Sequence, residues 1–377
     1  MNNEQYTGIN FNGQTFYIGI DIDKKRWSVS IRTMGLKVKD FVLSPGAPKE
    51  LKKYLDKHYK GGNYIAVYEA GYCGFWIARE LEKTGINCMV VNPADIPTTH
   101  KEKVTKTDKN DSRKLSLNLE KKEIKGIYIP MVCDQALRSL CRLRVSITRD
   151  ITRIKNRIKG FLYLYGYEVK EIKSNWSKKY IERLRALSIE KEGGETLGVL
   201  LSQLTSLSLD LELCTQQLKE KFEKDKKKQE MLELLMTVPG IGFVSGAIFV
   251  SEIIDIERFK NFDHFASFVG IVPKVYSSGD KDRGKGKSPR GNKWLCRILI
   301  ESSWVAVKKD PALLMSYSRL VKRKKSQEAI IRIAKKILRR IYHILKTKTP
   351  YKEGIMNLQV TTASYQQPLT SAPTSVR

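Results

Sequence analysis

Apolar positions set the outline of the first third of this chain. The run 16–22, FYIGIDI, predicts a buried strand. Segments 27–32 and 37–43 predict two further strands, joined to it as a meander. Segment 48–59, with Leu51, Tyr54 and Leu55 on one side, predicts a helix. A strand over 63–68 ending at Glu69, a helix over 74–83 and a strand over 88–91 closed by Asn92-Pro93 follow. A polar stretch then leads to a helix opening at Asp108. The predicted order is β-β-β-α-β-α-β-α, an α/β unit over 1–130.

Residues 134–235 have a different period. Leu137, Leu140, Leu143, Ile147, Ile151, Ile154, Ile158 and Leu162 recur at spacings of three and four, as a long amphipathic or coiled-coil helix requires. Arginines and lysines, among them Arg153 and Arg157, fill the other faces, and charge of one sign along a helix suits a phosphate backbone. Gly193-Gly194 predicts a break, and Leu204, Leu211 and Leu218 predict a second heptad helix. Antiparallel pairing within the chain and dimerisation between chains both fit. Pro239-Gly-Ile-Gly242 then resembles a helix-hairpin-helix turn, in which the N–H groups of Gly240 and Gly242 would approach a DNA phosphate. Helices are predicted over 262–269 and 293–308, with a basic, glycine-rich loop over 280–292 between them. From 354 the tail is rich in Thr, Ser, Gln and Pro and predicts disorder. The resulting divisions are 1–130, 131–235, 236–350 and 351–377.

Charge narrows the choice of partner. The 377 residues hold 69 Lys and Arg against 40 Asp and Glu, a net charge of +29, which calls for a polyanion such as nucleic acid. A hydrophobic content of 41% describes a globular chain rather than a disordered one. The six cysteines are scattered with no C-x-x-C pair, which argues against a zinc ribbon and fits a reducing cytoplasm. No signal-peptide pattern and no run of eighteen apolar residues are read, so no membrane span is expected.

Within this basic chain the acids are conspicuous. Asp108 and Asp111 stand three residues apart at a predicted helix start, amid Lys101, Lys103, Lys106, Lys109, Arg113 and Lys114. Helix capping would explain the pair alone. Asp21 on the first strand and Glu69 ending the fourth add two more, with Asp23 as a fallback on the face of Asp21. The order of elements matches the ribonuclease-H-like (RuvC-like) fold, in which acids on central strands and a late helix converge. Such a set suits two Mg²⁺ ions, which prefer oxygen ligands. In the basic loop, Gly279-x4-Gly284-Lys285 begins a nucleotide-binding pattern, but Gly286 stands where Ser or Thr is required, so a basic loop touching a nucleic-acid backbone is the better reading.

Gly19-Ile-Asp21 with Lys24, Tyr68-Glu69-Ala70-Gly71, Asn92-Pro93 and the run 106–115 occur in that order. Pro239-Gly-Ile-Gly242, the run 265–270, Pro273, Tyr276-Ser-Ser-Gly279 and the run 287–297 with Gly291-Asn292 follow. Over about residues 15–350 this set resembles the DEDD transposases of bacterial insertion sequences and the Piv-type DNA invertases. The resemblance implies a RuvC-like catalytic domain, a helical coiled-coil middle and a mainly helical C-terminal transposase domain. It implies Asp21, Glu69, Asp108 and Asp111 as Mg²⁺ ligands, and Ser278, with Ser277 as alternative, as a nucleophile completing one composite site. It also implies strand transfer through a covalent phosphoserine link and a noncoding bridge RNA that pairs with target and donor DNA. Lys106, Arg113, Arg153, Arg157, Gly240, Gly242, Lys285, Lys287, Arg290, Lys293 and Arg297 are the expected nucleic-acid contacts. Exchange of four strands calls for a homo-oligomer, from dimer to tetramer, working on DNA in the bacterial cytoplasm. One departure is Pro289, in Ser288-Pro-Arg-Gly-Asn292, where the family often has a Thr-Lys-Arg-Gly-Asn run. A RuvC-like metal nuclease acting on branched DNA without a serine link, and a non-enzymatic nucleic-acid scaffold, are the competing readings.

Overall fold

Alternation along β1 (Thr15–Ile22) sends Phe16, Ile18 and Ile20 to one face and Tyr17, Gly19 and Asp21 to the other. Each face is covered by its own layer. The computed structural model describes residues 10–97, 108–167, 176–187, 191–272, 277–278, 281–282 and 291–352. It forms two units, Met1–Pro130 and Met131–Arg377.

In the first unit, β2 (Trp27–Thr33), β3 (Leu36–Leu43), β4 (Asn63–Glu69) and β5 (Asn87–Val91) join β1 in the order β3-β2-β1-β4-β5. The β1–β2 and β2–β3 pairs are antiparallel, and the β1–β4 and β4–β5 pairs are parallel. The β-β-β-α-β-α-β-α order expected from the sequence is the order found. Leu51 and Leu55 of α1 (Pro48–His58) and Ile77, Ala78 and Leu81 of α2 (Trp76–Lys83) bury the first face with Phe16, Ile18, Ile20 and Trp27. Leu115 and Leu119 of α3 (Asp108–Glu120) bury the second face with Val67 and Val91.

Gly19 fixes how closely α3 approaches. A Cβ there would lie 2.0 Å from the Ser112 carbonyl oxygen and 2.5 Å from the Ser116 nitrogen, both backbone atoms. Only glycine allows this contact. Two ion pairs set the direction of the helix across the sheet. Arg32 reaches Glu120 at 2.7 Å, and Arg113 Nε reaches Asp40 at 2.7 Å. Burial alone would raise the Asp40 carboxyl, but the Arg113 hydrogen bond and charge outweigh it and hold the group below the usual range.

Among the described residues, the regular structure of the second unit is helical apart from a short hairpin. The arginine-rich α4 (Val132–Leu164) and α6 (Lys191–Glu223) pair within the chain, with α5 (Lys178–Arg185) between them in sequence. Cys214, late in α6, hydrogen-bonds the Leu140 carbonyl early in α4, and Arg144 reaches Thr215, so the two helices run antiparallel. Ile147, Ile151, Ile154, Ile158 and Leu162 are thereby buried against Leu197, Leu201 and Leu204. The stripe is thus buried by pairing within the chain, one of the two arrangements that the sequence allows. Two expectations are corrected. Gly193-Gly194 lies inside α6 rather than at a break, and Leu143 is exposed rather than part of the stripe. The stretch Gly193–Glu223 is also long and apolar enough to span a bilayer by length and composition alone.

The remaining helices are α7 (Lys226–Met236), α8 (Phe243–Ile253), α9 (Phe262–Val269), α10 (Lys293–Lys309), α11 (Pro311–Val321) and α12 (Ser326–Thr347). Helix α8 is apolar nearly all round and sits in the middle of their core. The core extends from Leu137 and Cys141 of α4 to Ile344 and Leu345 of α12. Asp310 caps α11 through the Leu313 N–H and also accepts from Arg340 and Tyr351, which ties the last helix to the chain beyond it. The hairpin pairs β6 (Ser277–Ser278) with β7 (Lys281–Asp282). The predicted disordered tail lies outside the described residues.

Candidate active site and nucleic-acid contacts

The parallel strands β1, β4 and β5 end on one edge of the sheet, where open α/β sheets commonly place their sites. The β1–β4 register pairs Ile20 with Tyr68, so the next residues, Asp21 and Glu69, stand level on adjacent strands. Neighbouring strands are about 4.8 Å apart. Both acids lie on the α3 face, Asp21 two residues beyond Gly19 and Glu69 two beyond Val67.

Helix α3 brings its acids to the same edge. It runs antiparallel to β1, because Glu120 meets Arg32 opposite Tyr17, and Ser112 and Ser116 meet Gly19. From Gly19 to Asp21 is roughly 6.6 Å along a strand, or about four residues of helix. That distance leads back from Ser112–Ser116 to the first turn of α3, which holds Asp108 and Asp111. Asp108 precedes Ser112 by four and Asp111 precedes Leu115 by four, so both extend the stripe that packs on the sheet. Asp108 is exposed, and Asp21, Glu69 and Asp111 are partly buried.

The donors at this edge are carboxylate oxygens, suited to a hard divalent cation. Among the described residues, no three His, Cys, Asp or Glu side chains stand close enough together to enclose a metal ion. The stretch 98–107 before Asp108, with Lys101, Lys103 and Lys106, lies outside the described residues.

Tyr72 is a neighbour that the sequence did not single out. Its hydroxyl donates to the Ile22 carbonyl at 3.2 Å. Desolvation, and then the charges of Asp23, Cys73 and Asp21, raise its pKa and keep it a donor. Its only signal in the sequence is its place three residues after Glu69. A cleft lined by Gln14, Tyr17, Thr33 and Glu120 lies toward the opposite end of β1 and has no part in this site.

In the second unit, Ser278 pairs with Lys281 and Ser277 with Asp282 across the β6–β7 hairpin. The chain leaves α9 at Gly270 and returns at Gly291, and these two backbones touch. A Cβ on Gly291 would lie 2.1 Å from the Gly270 Cα, and Gly270 has φ +85°, a left-handed helix end. The Asn292 N–H donates to the Phe268 carbonyl at 2.7 Å. The segment bearing the serines is therefore clamped at its base.

Glu252 holds that base. This carboxylate is buried inside α8 and accepts two hydrogen bonds from Arg142, at 2.7 and 2.9 Å, with Arg138 Nε at 3.4 Å. It also accepts from Asn292 Nδ2 at 2.7 Å, while Asn292 Oδ1 caps α10 through the N–H groups of Trp294 and Leu295. Glu252→Ala should therefore destabilise the protein. Breaking a buried ion pair costs about 3–5 kcal/mol, and partial exposure of Arg142 points to the low end, about 3 kcal/mol. At roughly 2–4 °C per kcal/mol, calorimetry should show a fall of about 6–12 °C. An unchanged melting temperature would remove Glu252 from this role.

The expected nucleic-acid contacts divide. Arg157 and Lys293 are exposed. Arg153 is exposed beside Asp150, and Arg297 pairs with Glu301 at 2.8 Å. Two of these residues also have structural partners. Arg113 is engaged by Asp40 as a pin for α3. A Cβ on Gly240 would lie 2.3 Å from the Ser302 carbonyl oxygen, so the missing side chain there admits a neighbouring helix, whereas Gly242 is open at the start of α8. Lys106, Lys285, Lys287, Pro289 and Arg290 lie outside the described residues.

Comparison with known proteins gives these positions a context. Residues 18–166 match the family model of a DEDD domain of IS110-type elements, described as "Transposase". Residues 232–318 match the model described as "Transposase IS116/IS110/IS902 family". The "Putative transposase y4rJ" of Sinorhizobium fredii is 26% identical over 89% of this chain and 93% of its own length. The "Transposase for insertion sequence element IS1533" of Leptospira borgpetersenii is 26% identical over 76% of this chain and 84% of its own. The "Transposase for insertion sequence element IS1111A" of Coxiella burnetii is 22% identical over 77% and 79%.

Proposed function

From the premise that this chain belongs to the IS110-type DEDD transposases, and so is an enzyme acting on DNA, we propose that it is a Mg²⁺-dependent, RNA-guided recombinase that cuts and rejoins DNA through a covalent link to a serine. The observation that carries this reading is the level placement of Asp21 and Glu69 at the edge where α3 begins with Asp108 and Asp111. A mixed sheet in the order β3-β2-β1-β4-β5, with helices on both faces, supports a ribonuclease-H-like domain.

In this mechanism the four carboxylates would hold the cofactor, probed as Mg²⁺. Bound divalent ions would neutralise charge on the scissile phosphate. Ser278 Oγ forms a bond to phosphorus, and the ester bond to one sugar oxygen breaks. That oxygen leaves as a hydroxyl carrying the proton that the serine loses. Attack by a second strand's hydroxyl then restores the phosphodiester and frees the serine, whose oxygen takes back a proton in exchange for the one that hydroxyl loses, so no water enters and no net hydrolysis occurs. The exposed basic faces of α4 suit backbone contacts. Guidance by a bridge RNA rests on the resemblance, and it would leave sequence choice to base pairing.

The reading is tested with the purified chain, the RNA that co-purifies with it and DNA carrying the element ends. Joining should stop on chelation, return with Mg²⁺ and fail after ribonuclease treatment. Joining that persists in chelator removes the metal, joining that survives ribonuclease removes the guide, and cleavage without joining favours a plain nuclease.

A further inference from the structure

Helices α4, α8 and α10 of the second unit enclose a cleft of about 200 Å³. Its walls combine an aromatic ring with several cations. Trp294, Val244, Ile248, Arg144, Thr148 and Arg149 are among the residues that line it. The Arg149 guanidinium lies 5.1 Å from the indole centroid, and that of Arg142 lies 5.5 Å from it.

These arginines are not equivalent. Arg142 is held in a bidentate pair with buried Glu252. Arg297, at the rim, is paired with Glu301. Arg144 is half-buried and its Nε donates only to the Thr215 hydroxyl, at 2.8 Å; burial lowers its pKa. Among the described residues, neither Arg144 nor Arg149 has a carboxylate partner. A partly desolvated guanidinium without a counter-ion is costly and favours an incoming anion. Arg149 is exposed, and on swinging to such an anion it would uncover the indole face.

We propose that this cleft seats one unpaired nucleotide of a nucleic-acid strand, its base against Trp294 and its phosphate between Arg144 and Arg149. An aromatic platform beside cations is how proteins hold single strands. The volume is below the about 300–1,000 Å³ of cavities for larger small molecules, which suits a single base. A duplex keeps its bases stacked and offers none to the ring. A DNA transposase with a charge of +29 meets such strands whenever it opens a duplex.

Fluorescence anisotropy on the full chain tests this, with labelled oligo-dT, oligo-U and a blunt duplex as probes. Trp294→Ala should weaken single-strand binding by roughly ten- to a hundred-fold, leave duplex binding unchanged, and be rescued by Trp294→Phe. Arg149→Ala should lower the salt slope for the single strand by about one. Loss of oligo-U binding alone assigns the site to RNA, and loss of oligo-dT binding alone assigns it to DNA; either supports a nucleotide seat. Equal weakening of single strand and duplex by both variants would overturn it, as would full single-strand affinity in Arg149→Glu or Trp294→Ala. Displacement of the oligonucleotide by acidic peptide at comparable charge concentration would also overturn it. Arg149→Glu decides the matter if Trp294→Ala does not fold.

Discussion

Asp21→Asn should abolish DNA strand cleavage and leave the melting temperature and nucleic-acid affinity close to those of the unaltered protein. The substitution keeps the shape of the side chain and removes one negative charge. Asp21 stands on β1 level with Glu69 on β4, and two residues beyond the Gly19 contact that brings α3 against the sheet. A bound divalent ion supplies several kcal/mol of charge stabilisation, and each 1.4 kcal/mol is tenfold in rate, so the loss should be roughly a thousand-fold or more. Glu69→Gln should do the same. A second readout separates metal binding from folding: titration with Mn²⁺, followed by calorimetry, should show weaker binding in both variants. Asp23→Asn is the control, since Asp23 lies just past the end of β1 and is exposed. If Asp21→Asn cuts at the normal rate and Asp23→Asn does not, the ligand is Asp23. If neither has an effect, this edge of the sheet is not the metal site.

The acids were legible in the sequence because each stands at the boundary of a recognisable element. Asp21 and Glu69 close strands whose apolar alternation is clear, and Asp108 opens a helix after a polar stretch. What brings them to one edge was not legible. It depends on strand register and on Gly19, whose missing Cβ is read only once Ser112 and Ser116 are seen above it. The arginines of α4 show the opposite problem. From spacing alone they formed one basic surface, yet Arg138 and Arg142 serve a buried carboxylate about 110 residues away, and Arg144 and Arg149 face a cleft. Glu252 itself was hidden in the apolar run of α8, where one acid looks like an interruption. Gly240 is ambiguous for a related reason. A glycine that admits a DNA phosphate and one that admits a helix carbonyl have the same sequence signature. Local patterns report the period of an element, whereas these roles belong to atoms that meet from distant parts of the chain.

Ser278→Ala should stop DNA joining and remove any covalent protein–DNA adduct, with folding, Mn²⁺ binding and RNA binding unchanged. The substitution is conservative here because Ser278 is paired to Lys281 through the strand backbone, and alanine keeps that pairing. The base of the segment is clamped independently, by the Gly270–Gly291 contact and by Asn292 on Glu252. That clamp is formed by residues other than Ser278, so a fall in activity reports chemistry rather than collapse of the segment. The loss of a covalent nucleophile should cost roughly a thousand-fold or more in rate. A plain metal nuclease would use water as its nucleophile and would keep cutting in Ser278→Ala. The decisive measurement traps the reaction on a suicide substrate whose cut end diffuses away, then maps the adduct by mass spectrometry. A DNA phosphate on Ser278, absent from Ser278→Ala, supports the serine link. An adduct on Ser277, lost in Ser277→Ala instead, moves the nucleophile by one residue. Cleavage by the unaltered protein with no adduct on either serine would overturn the covalent mechanism and leave a nuclease whose chemistry is confined to the acids of the first unit.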